Sequence, residues 1–415
     1  MLRPFQEGKH SPPAPRPAVW ECLIGDRAVP DAMRGPTPDA PKQSWGVTGL
    51  RALLLCAAMP VPARLRLVSI LALFSAAALL VACSSGGGPA TCDLTPTPGS
   101  GGCPGGPTAT GEAPAELLLD SGVTVEANLT FQADAGIALQ GDLYVPPGAA
   151  GSDAGIVVLV HGGTWNSCEL RRASTAAFAE ATAQDVGAGV FNIEYRLTQE
   201  GGGYPNDLRD VYCAIQWISA HAADYQLNGQ RVALVGASAG GQLALNAALE
   251  LHRTDLDPHC GPLPPLSMVV AYSAPTDLPT LAASTSPIAN AVLDHVGTCD
   301  NPVPQCDVGK ACDRCVDASP VAHACVSGDT TAFLLVQAPD PFDPIVPYSQ
   351  VDELAQAFSL IGATGQLIIP AAQQLTDQGC AANDAQNPAH GFLTPCLANA
   401  THDAVIPLLK AAVGH

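Results

Sequence analysis

The chain has 415 residues, of which 47% are hydrophobic, and a formal net charge of −20. That length and apolar share suffice for one large core or for two domains. The acidic balance argues against nucleic acid or an anionic membrane surface as a partner and favours solubility, while saying little about substrate.

Residues 1–58 are proline-rich and show no apolar periodicity. Translation is expected to begin at Met59, with residues 1–58 either not made or disordered. From Met59 a basic start, an uncharged apolar run over residues 67–82 and a small-residue cleavage site read as a secretory signal, too short for a comfortable membrane span. Leu80-Val81-Ala82-Cys83 resembles a bacterial lipobox. The resemblance implies a signal peptide over residues 59–82, cleavage before Cys83, diacylation of Cys83 as the membrane anchor, and residence in the bacterial cell envelope; Ser84 points to the outer membrane. A single N-terminal anchor helix is the alternative. Cleavage there leaves 9 basic and 33 acidic residues, a net charge of −24.

Twelve of the fifteen cysteines follow Cys83, and export makes disulfides the default reading. Cys306, Cys312 and Cys315, with Cys299 and Cys325 close by, also have spacing that suits a tetrahedral zinc knuckle. Cys213 falls in a helical apolar pattern, where a buried thiol is the simple expectation. Residues 83–115 have the glycine, proline, threonine and serine composition of a flexible linker ahead of a domain over residues 116–415.

Residues 123–131 and 137–145 alternate apolar with polar positions, as an antiparallel strand pair does. Residues 155–160 are continuously apolar, the pattern of a strand buried on both faces, and run into His161-Gly162-Gly163-Thr164-Trp165. A helix over 173–182, a strand over 189–194 and a helix over 207–222 follow, the last with a core stripe of Leu208, Val211, Ile215, Trp217 and Ile218. Strands alternating with helices predict a mostly parallel central sheet flanked by helices.

Residues 232–235 are apolar and meet Gly236-Ala237-Ser238-Ala239-Gly240, after which residues 243–251 are helical in pattern. This strand, tight turn and helix would hold the Ser238 hydroxyl clear of the backbone, with Gly236 and Gly240 letting strand and helix close up. After a strand over 267–272 the pattern breaks over residues 273–331, where cysteines cluster. That insertion reads as a disulfide-stapled cap over the site or, equally, as a surface excursion. A strand over 332–337, a helix over 350–360, a strand over 366–370 and a helix over 402–413 complete the chain.

A serine hydroxyl attacks only when a histidine takes its proton and a carboxylate fixes that histidine's tautomer. Asp343, after a late strand, and His390, beyond the last one, follow Ser238 in the order serine, acid, histidine. Asp340 competes with Asp343, which directly precedes Pro344-Ile345-Val346-Pro347. His259, His295 and His323 precede the acid, His221 and His252 follow helical runs, and His402 and His415 lie at the final helix. Gly162 and Gly163 at a strand end suit an oxyanion hole, although an ordinary glycine turn has the same composition.

Tyr195-Arg196-Leu197, Tyr204-Pro205, Asp210-Val211, Trp217-Ile218 and residues 231–241 resemble the esterase and lipase branch of the α/β hydrolases, similar to hormone-sensitive lipase. His161-Gly162-Gly163-Thr164-Trp165 is nearer bacterial feruloyl-esterase-like and kynurenine-formamidase-like members. The resemblance covers roughly residues 120–412. It implies the α/β-hydrolase fold and ester hydrolysis through an acyl-enzyme, with Ser238 attacking, His390 as base and then acid, and Asp343 orienting it. Backbone N–H groups of Gly162, Gly163 and Ala239 would hold the oxyanion, and no metal or cofactor is needed. Gln337-Ala338-Pro339 stands where the family often has a His-Gly pair. The partner expected is a small or polysaccharide-linked ester; an amide-bond hydrolase and a catalytically silent binding module are the competing classes.

Overall fold

In residues 155–160 the unbroken apolar run has a simple physical origin. Ile156, Val158 and Val160 face one buried layer and Val157 and Leu159 the other, all fully buried. A computed structural model of the protein describes residues 103, 111–134, 137–251, 256, 260–297, 314–324, 331–384, 388–391 and 395–414. Residues 1–82, Cys83, most of the linker, and Cys299, Cys306, Cys312 and Cys325 lie outside the described residues.

The strands are β1 (Ala115–Leu118), β2 (Thr124–Asp134), β3 (Ile137–Val145), β4 (Ile156–Val160), β5 (Gly189–Ile193), β6 (Val232–Ala237), β7 (Leu266–Tyr272), β8 (Ala332–Val336) and β9 (Gly365–Ile368). They form one sheet in the order β1-β2-β3-β5-β4-β6-β7-β8-β9. The first three are antiparallel, and β5, β4, β6, β7, β8 and β9 run parallel. The order reverses at β4, so the carboxyl ends of β4 and β6 open a crevice, the usual ligand position in such sheets.

The helices are α1 (Ala176–Val186), α2 (Asn206–His221), α3 (Ala239–Leu249), α4 (Leu278–Ala282), α5 (Ala289–Val296), α6 (Arg314–Asp317), α7 (Pro320–His323), α8 (Tyr348–Ile361), α9 (Ala372–Asp377) and α10 (Pro395–Val413). Leu208, Val211 and Ile215 of α2, Leu243 and Leu245 of α3, and Leu354 and Phe358 of α8 cover one face. Ala179, Ala183 and Val186 of α1, with Val405, Leu409 and Val413 of α10, cover the other. Each fully buried aliphatic or Phe side chain contributes roughly 1.5–3 kcal/mol relative to exposure. No helix among the described residues is long and apolar enough to cross a membrane.

The expected mostly parallel, helix-flanked sheet is present, with differences in detail. Helix α3 begins at Ala239, not residue 243, because its first residues are small enough to pack against the sheet. Helix α10 begins at Pro395, seven residues early, with proline in the first turn where its missing N–H costs nothing. A 3-10 turn over Arg172–Thr175 precedes α1. Strand β1 is exposed at every position and α9 buries only Leu375, so neither writes a stripe into the sequence. Within the insertion α4 to α7 are four to eight residues long, too short to sustain a period.

Disulfides join Cys103 to Cys168, Cys213 to Cys260 and Cys380 to Cys396. Cys213 is thus buried but not a free thiol. Cys315 is disulfide-bonded as well, which removes it from the zinc knuckle considered above. The linker composition ends in attachment to the domain: Cys103 is held by its disulfide, and the Glu112 N–H donates to the Gln140 side-chain oxygen.

Candidate active site

Strand β6 delivers Ser238 into the crevice. The residue sits at φ 54°, ψ −123°, between the end of β6 and the first residue of α3. A non-glycine residue takes such a conformation only where its surroundings enforce it. Here the Ser238 N–H donates to the Tyr272 carbonyl at 2.8 Å, and any Cβ on Gly240 would be driven into the Val160 and His161 carbonyl oxygens. Ala239 is the first residue of α3, so its N–H has no acceptor within the helix and lies at the helix's positive end.

Strand β4 brings His161-Gly162-Gly163 beside the serine. A Cβ on Gly162 would lie 2.8 Å from the Ala237 carbonyl oxygen and 3.2 Å from the Ser238 Cβ, so the bare backbone passes against the turn that carries Ser238. Gly163, Thr164 and Trp165 follow with φ of 112°, 52° and 58°. The carbonyl oxygen of Gly163 accepts from Asn166 N–H and Ser167 N–H, which closes the turn. The loop is therefore more than an ordinary glycine turn: it is built around the serine.

Beyond β8, the buried Asp343 meets His390. His390 Nδ1 lies 2.9 Å from Asp343 Oδ2 and 3.1 Å from Oδ1. Asp343 Oδ1 also accepts from Ile345 N–H and Val346 N–H, and Oδ2 accepts from Gln337 Nε2 at 3.1 Å. Burial works to raise the Asp343 pKa. His390, the Val346 N–H and the Ser273 hydroxyl outweigh it and hold the carboxyl below the ordinary aspartate range. Asp340 makes no such contact; its side chain accepts from Tyr348 N–H at the start of α8. The Cys380–Cys396 disulfide brackets His390 in the chain, and Gly391 N–H donates to Ser273 Oγ at 3.1 Å.

Several side chains here escaped the sequence reading. Gln337 donates to the same Asp343 oxygen that meets His390, at the point where the family often has a His-Gly pair, and Ser273 ties the histidine segment to the end of β7. Behind the glycine loop, His161 Nδ1 bonds the Gly162 carbonyl at 2.7 Å and its Nε2 lies 3.6 Å from Glu194 Oε2. Arg171 pairs with both Glu194 and Glu200, and Arg172 reaches Asp142 and Glu194. Burial tends to raise the Glu194 pKa, but His161, Arg171 and Arg172 leave it lowered. Arg196 forks onto the buried Asp210 at the start of α2, where burial still wins and pushes the acid up to about 6. Of these, only the Arg196–Asp210 pair had a sequence signal, the Tyr195-Arg196-Leu197 and Asp210-Val211 motifs.

The insertion is attached to the glycine loop that follows β4. Gln242 of α3 accepts from the Trp165 indole at 3.0 Å and donates to the Ala318 carbonyl, which also accepts from Asn246. His295 of α5 stacks on Trp165, with ring centroids 4.4 Å apart. Glu250, Asp317 and His323 bring their donor atoms within 4.8 Å of one another, as a metal site would. The Tyr204 hydroxyl already bridges Glu250 and Asp317, and His323 Nε2 bonds the Asp317 carbonyl. The cluster is thus engaged within the protein.

A serine elbow, followed in chain order by an acid and a histidine that meet beside a mostly parallel sheet, defines an α/β hydrolase of the esterase and lipase branch. The chain belongs to the BD-FAE family, whose model matches residues 141–358. Over 108 residues it is 32% identical to hormone-sensitive lipase of Homo sapiens, a match covering 26% of this chain and 10% of the lipase. Over 102 residues it is 32% identical to carboxylesterase NlhH of Mycobacterium tuberculosis, covering 25% of this chain and 31% of that protein. The chain therefore spans less than a third of either relative. A bifunctional GH43-CE protein of Bacteroides eggerthii shares the fold, with a TM-score of 0.54 and 19% identity over 70% of this chain and 35% of that one.

Proposed function

We propose that the protein hydrolyses carboxylic esters through an acyl-enzyme. Ser238 attacks the ester carbonyl, His390 takes the hydroxyl proton and returns it to the leaving alcohol, and Asp343 fixes the histidine's tautomer and offsets its charge. Water then repeats the sequence on the acyl-enzyme. The N–H groups of Gly162, Gly163 and Ala239 hold the oxyanion, and loss of one such donor typically costs about 3 kcal/mol in the transition state. The observation carrying this reading is that His390, held on Asp343, precedes Gly391, whose added Cβ would lie 3.8 Å from the N of Ser238 in its strained elbow. Similarity to a carboxylesterase and to hormone-sensitive lipase favours ester over amide substrates. Small esters and acylated polysaccharide are the substrate classes proposed.

The test is hydrolysis of p-nitrophenyl acetate, butyrate and octanoate by protein from Gly86 onward, made in an oxidising compartment, beside Ser238→Ala. Turnover is expected to fall on the order of 10⁶-fold in kcat in the variant. Equal turnover by both proteins would deny Ser238 its role and sink the reading, and none by folded wild type on any ester would move it to an amide hydrolase or binding module.

The same reading places the enzyme in the bacterial envelope, tethered through a lipid on Cys83. Its support is the lipobox-like sequence and the disulfides, which persist in oxidising compartments. Labelled palmitate should enter the protein and be lost in Cys83→Ala; equal labelling of both would contradict the anchor.

A further inference from the structure

The turn that follows the proposed oxyanion glycines is held in place by the cysteine-rich insertion. Thr164 and Trp165 are successive non-glycine residues at positive φ, a conformation that persists only when neighbours over-determine it. Trp165 is fully buried. Its carbonyl accepts from Thr198 N–H at 2.9 Å, and its indole N–H donates to Gln242 on the helix that follows Ser238. One face of its ring is covered by His295, from the insertion, with centroids 4.4 Å apart and planes 10° from parallel.

His295 is an unusual residue to bury at that spot. It is essentially inaccessible, and neither ring nitrogen makes a hydrogen bond of good geometry among the described residues. Its Nδ1 lies 3.1 Å from Oδ2 of Asp207, also inaccessible and in the first turn of α2. Its carbonyl accepts from Tyr204 N–H at 3.0 Å, and the Tyr204 ring stands edge-on to the imidazole. Burying a titratable ring against a carboxylate is costly for packing alone, and an apolar side chain would fill the space more cheaply. What the imidazole supplies is a flat ring laid on Trp165, with its Nδ1 beside the Asp207 carboxylate.

The geometry points to His295 as a positioning residue for the oxyanion loop, acting through Trp165 so that the insertion sets the placement of the Gly162 and Gly163 N–H groups. This inference rests on the ester-hydrolase reading. His295 touches neither substrate nor the reacting atoms. Its effect is expected on the transition state, where the oxyanion exists, and not on ground-state binding.

The test uses Asp207→Asn as background, so that no buried charge is left unpaired, and compares His295→Phe with His295→Leu in it. Phenylalanine keeps a ring on Trp165, whereas leucine keeps buried volume without the stack. Active-site titration normalises each protein to its folded fraction. With leucine, kcat is expected to fall roughly 10- to 100-fold with KM nearly constant, because small displacements of a reacting constellation have effects of that size. Affinity for a trifluoromethyl ketone, which binds as an oxyanion, should fall in parallel. Phenylalanine should restore most of both.

Wild-type kcat and ketone affinity retained with leucine would overturn the inference, as would a loss confined to KM or to thermal stability. Should the leucine protein fail to fold, a phenylalanine protein that folds but shows the full loss in kcat would overturn it equally. No Ser238-dependent turnover in the wild type would instead sink the ester reading, and the inference with it.

Discussion

The two halves of the site are held by different means. Ser238 and the glycine loop stand at the ends of the adjacent central strands β6 and β4, where close backbone packing fixes them: Gly240 under the Val160 and His161 carbonyls, Gly162 against Ala237 and Ser238. Asp343 and His390 lie beyond strands β8 and β9, and side-chain bonds from Gln337 and Ser273, with the Cys380–Cys396 link, do the fixing. The first half is part of the sheet and fails with it. The second is an attached segment that can be loosened while the sheet stands.

The largest effect that sharpens this contrast should come from Asp343→Asn. It leaves both halves folded but offers His390 the wrong tautomer, and kcat should fall by about 10⁴-fold in ester hydrolysis assays. A loss below tenfold would mean that another carboxylate orients His390. Gly162→Ala should cost roughly 10²–10³-fold in kcat, by pushing the loop off the nucleophile's turn and spoiling an oxyanion donor. A full-activity alanine variant would remove the argument that close approach is required there.

Cys380→Ser with Cys396→Ser tests the attached half. Opening a loop with a sequence separation of 16 is expected to lower unfolding stability by about 3 kcal/mol, read from denaturant midpoints. The sheet should survive, so near-ultraviolet signals from the buried Trp165 are expected to persist. Collapse of the whole fold would erase the distinction between the two halves.

The smallest expected effect is in pH dependence. Asp343 has a folded pKa below its unfolded value, so its contribution to stability is present above about pH 4 and is lost as pH falls through the folded value. The unfolding free energy of wild type minus that of Asp343→Asn should therefore shrink as pH falls below about 4. Asp210 works in the opposite sense: with its pKa raised to about 6 by burial, it withdraws stability as pH rises from about 4 to about 6. Its removal should flatten that slope, and an unchanged slope would contradict the assignment.

The same contrast governs what could be read from the sequence. Covering both faces of a strand writes an unbroken apolar run, and a strained serine between strand and helix requires Gly236 and Gly240, so β4, β6, Ser238 and Gly162 were legible. The proline-flanked setting distinguishes Asp343 from Asp340 in the sequence, and in the structure it is Asp343 that lies 2.9 Å from His390 Nδ1. Gln337, Ser273, Glu194 and the Trp165–His295 stack were not legible, because each acts through a partner remote in sequence and none imposes a periodicity. His295 was set aside for preceding the acid, which is a sound reason to deny it the role of base and no guide to what it touches. Strand β1 escaped because an exposed edge strand buries nothing.

The most direct measurement of the central claim is peptide mapping after brief exposure to a fluorophosphonate, on wild type and on His390→Ala. The reading developed above requires one equivalent of label on the peptide carrying Ser238 in the wild type, and labelling slowed by orders of magnitude when His390 is absent. Label on a different residue, or equal labelling of Ser238 without His390, would contradict it.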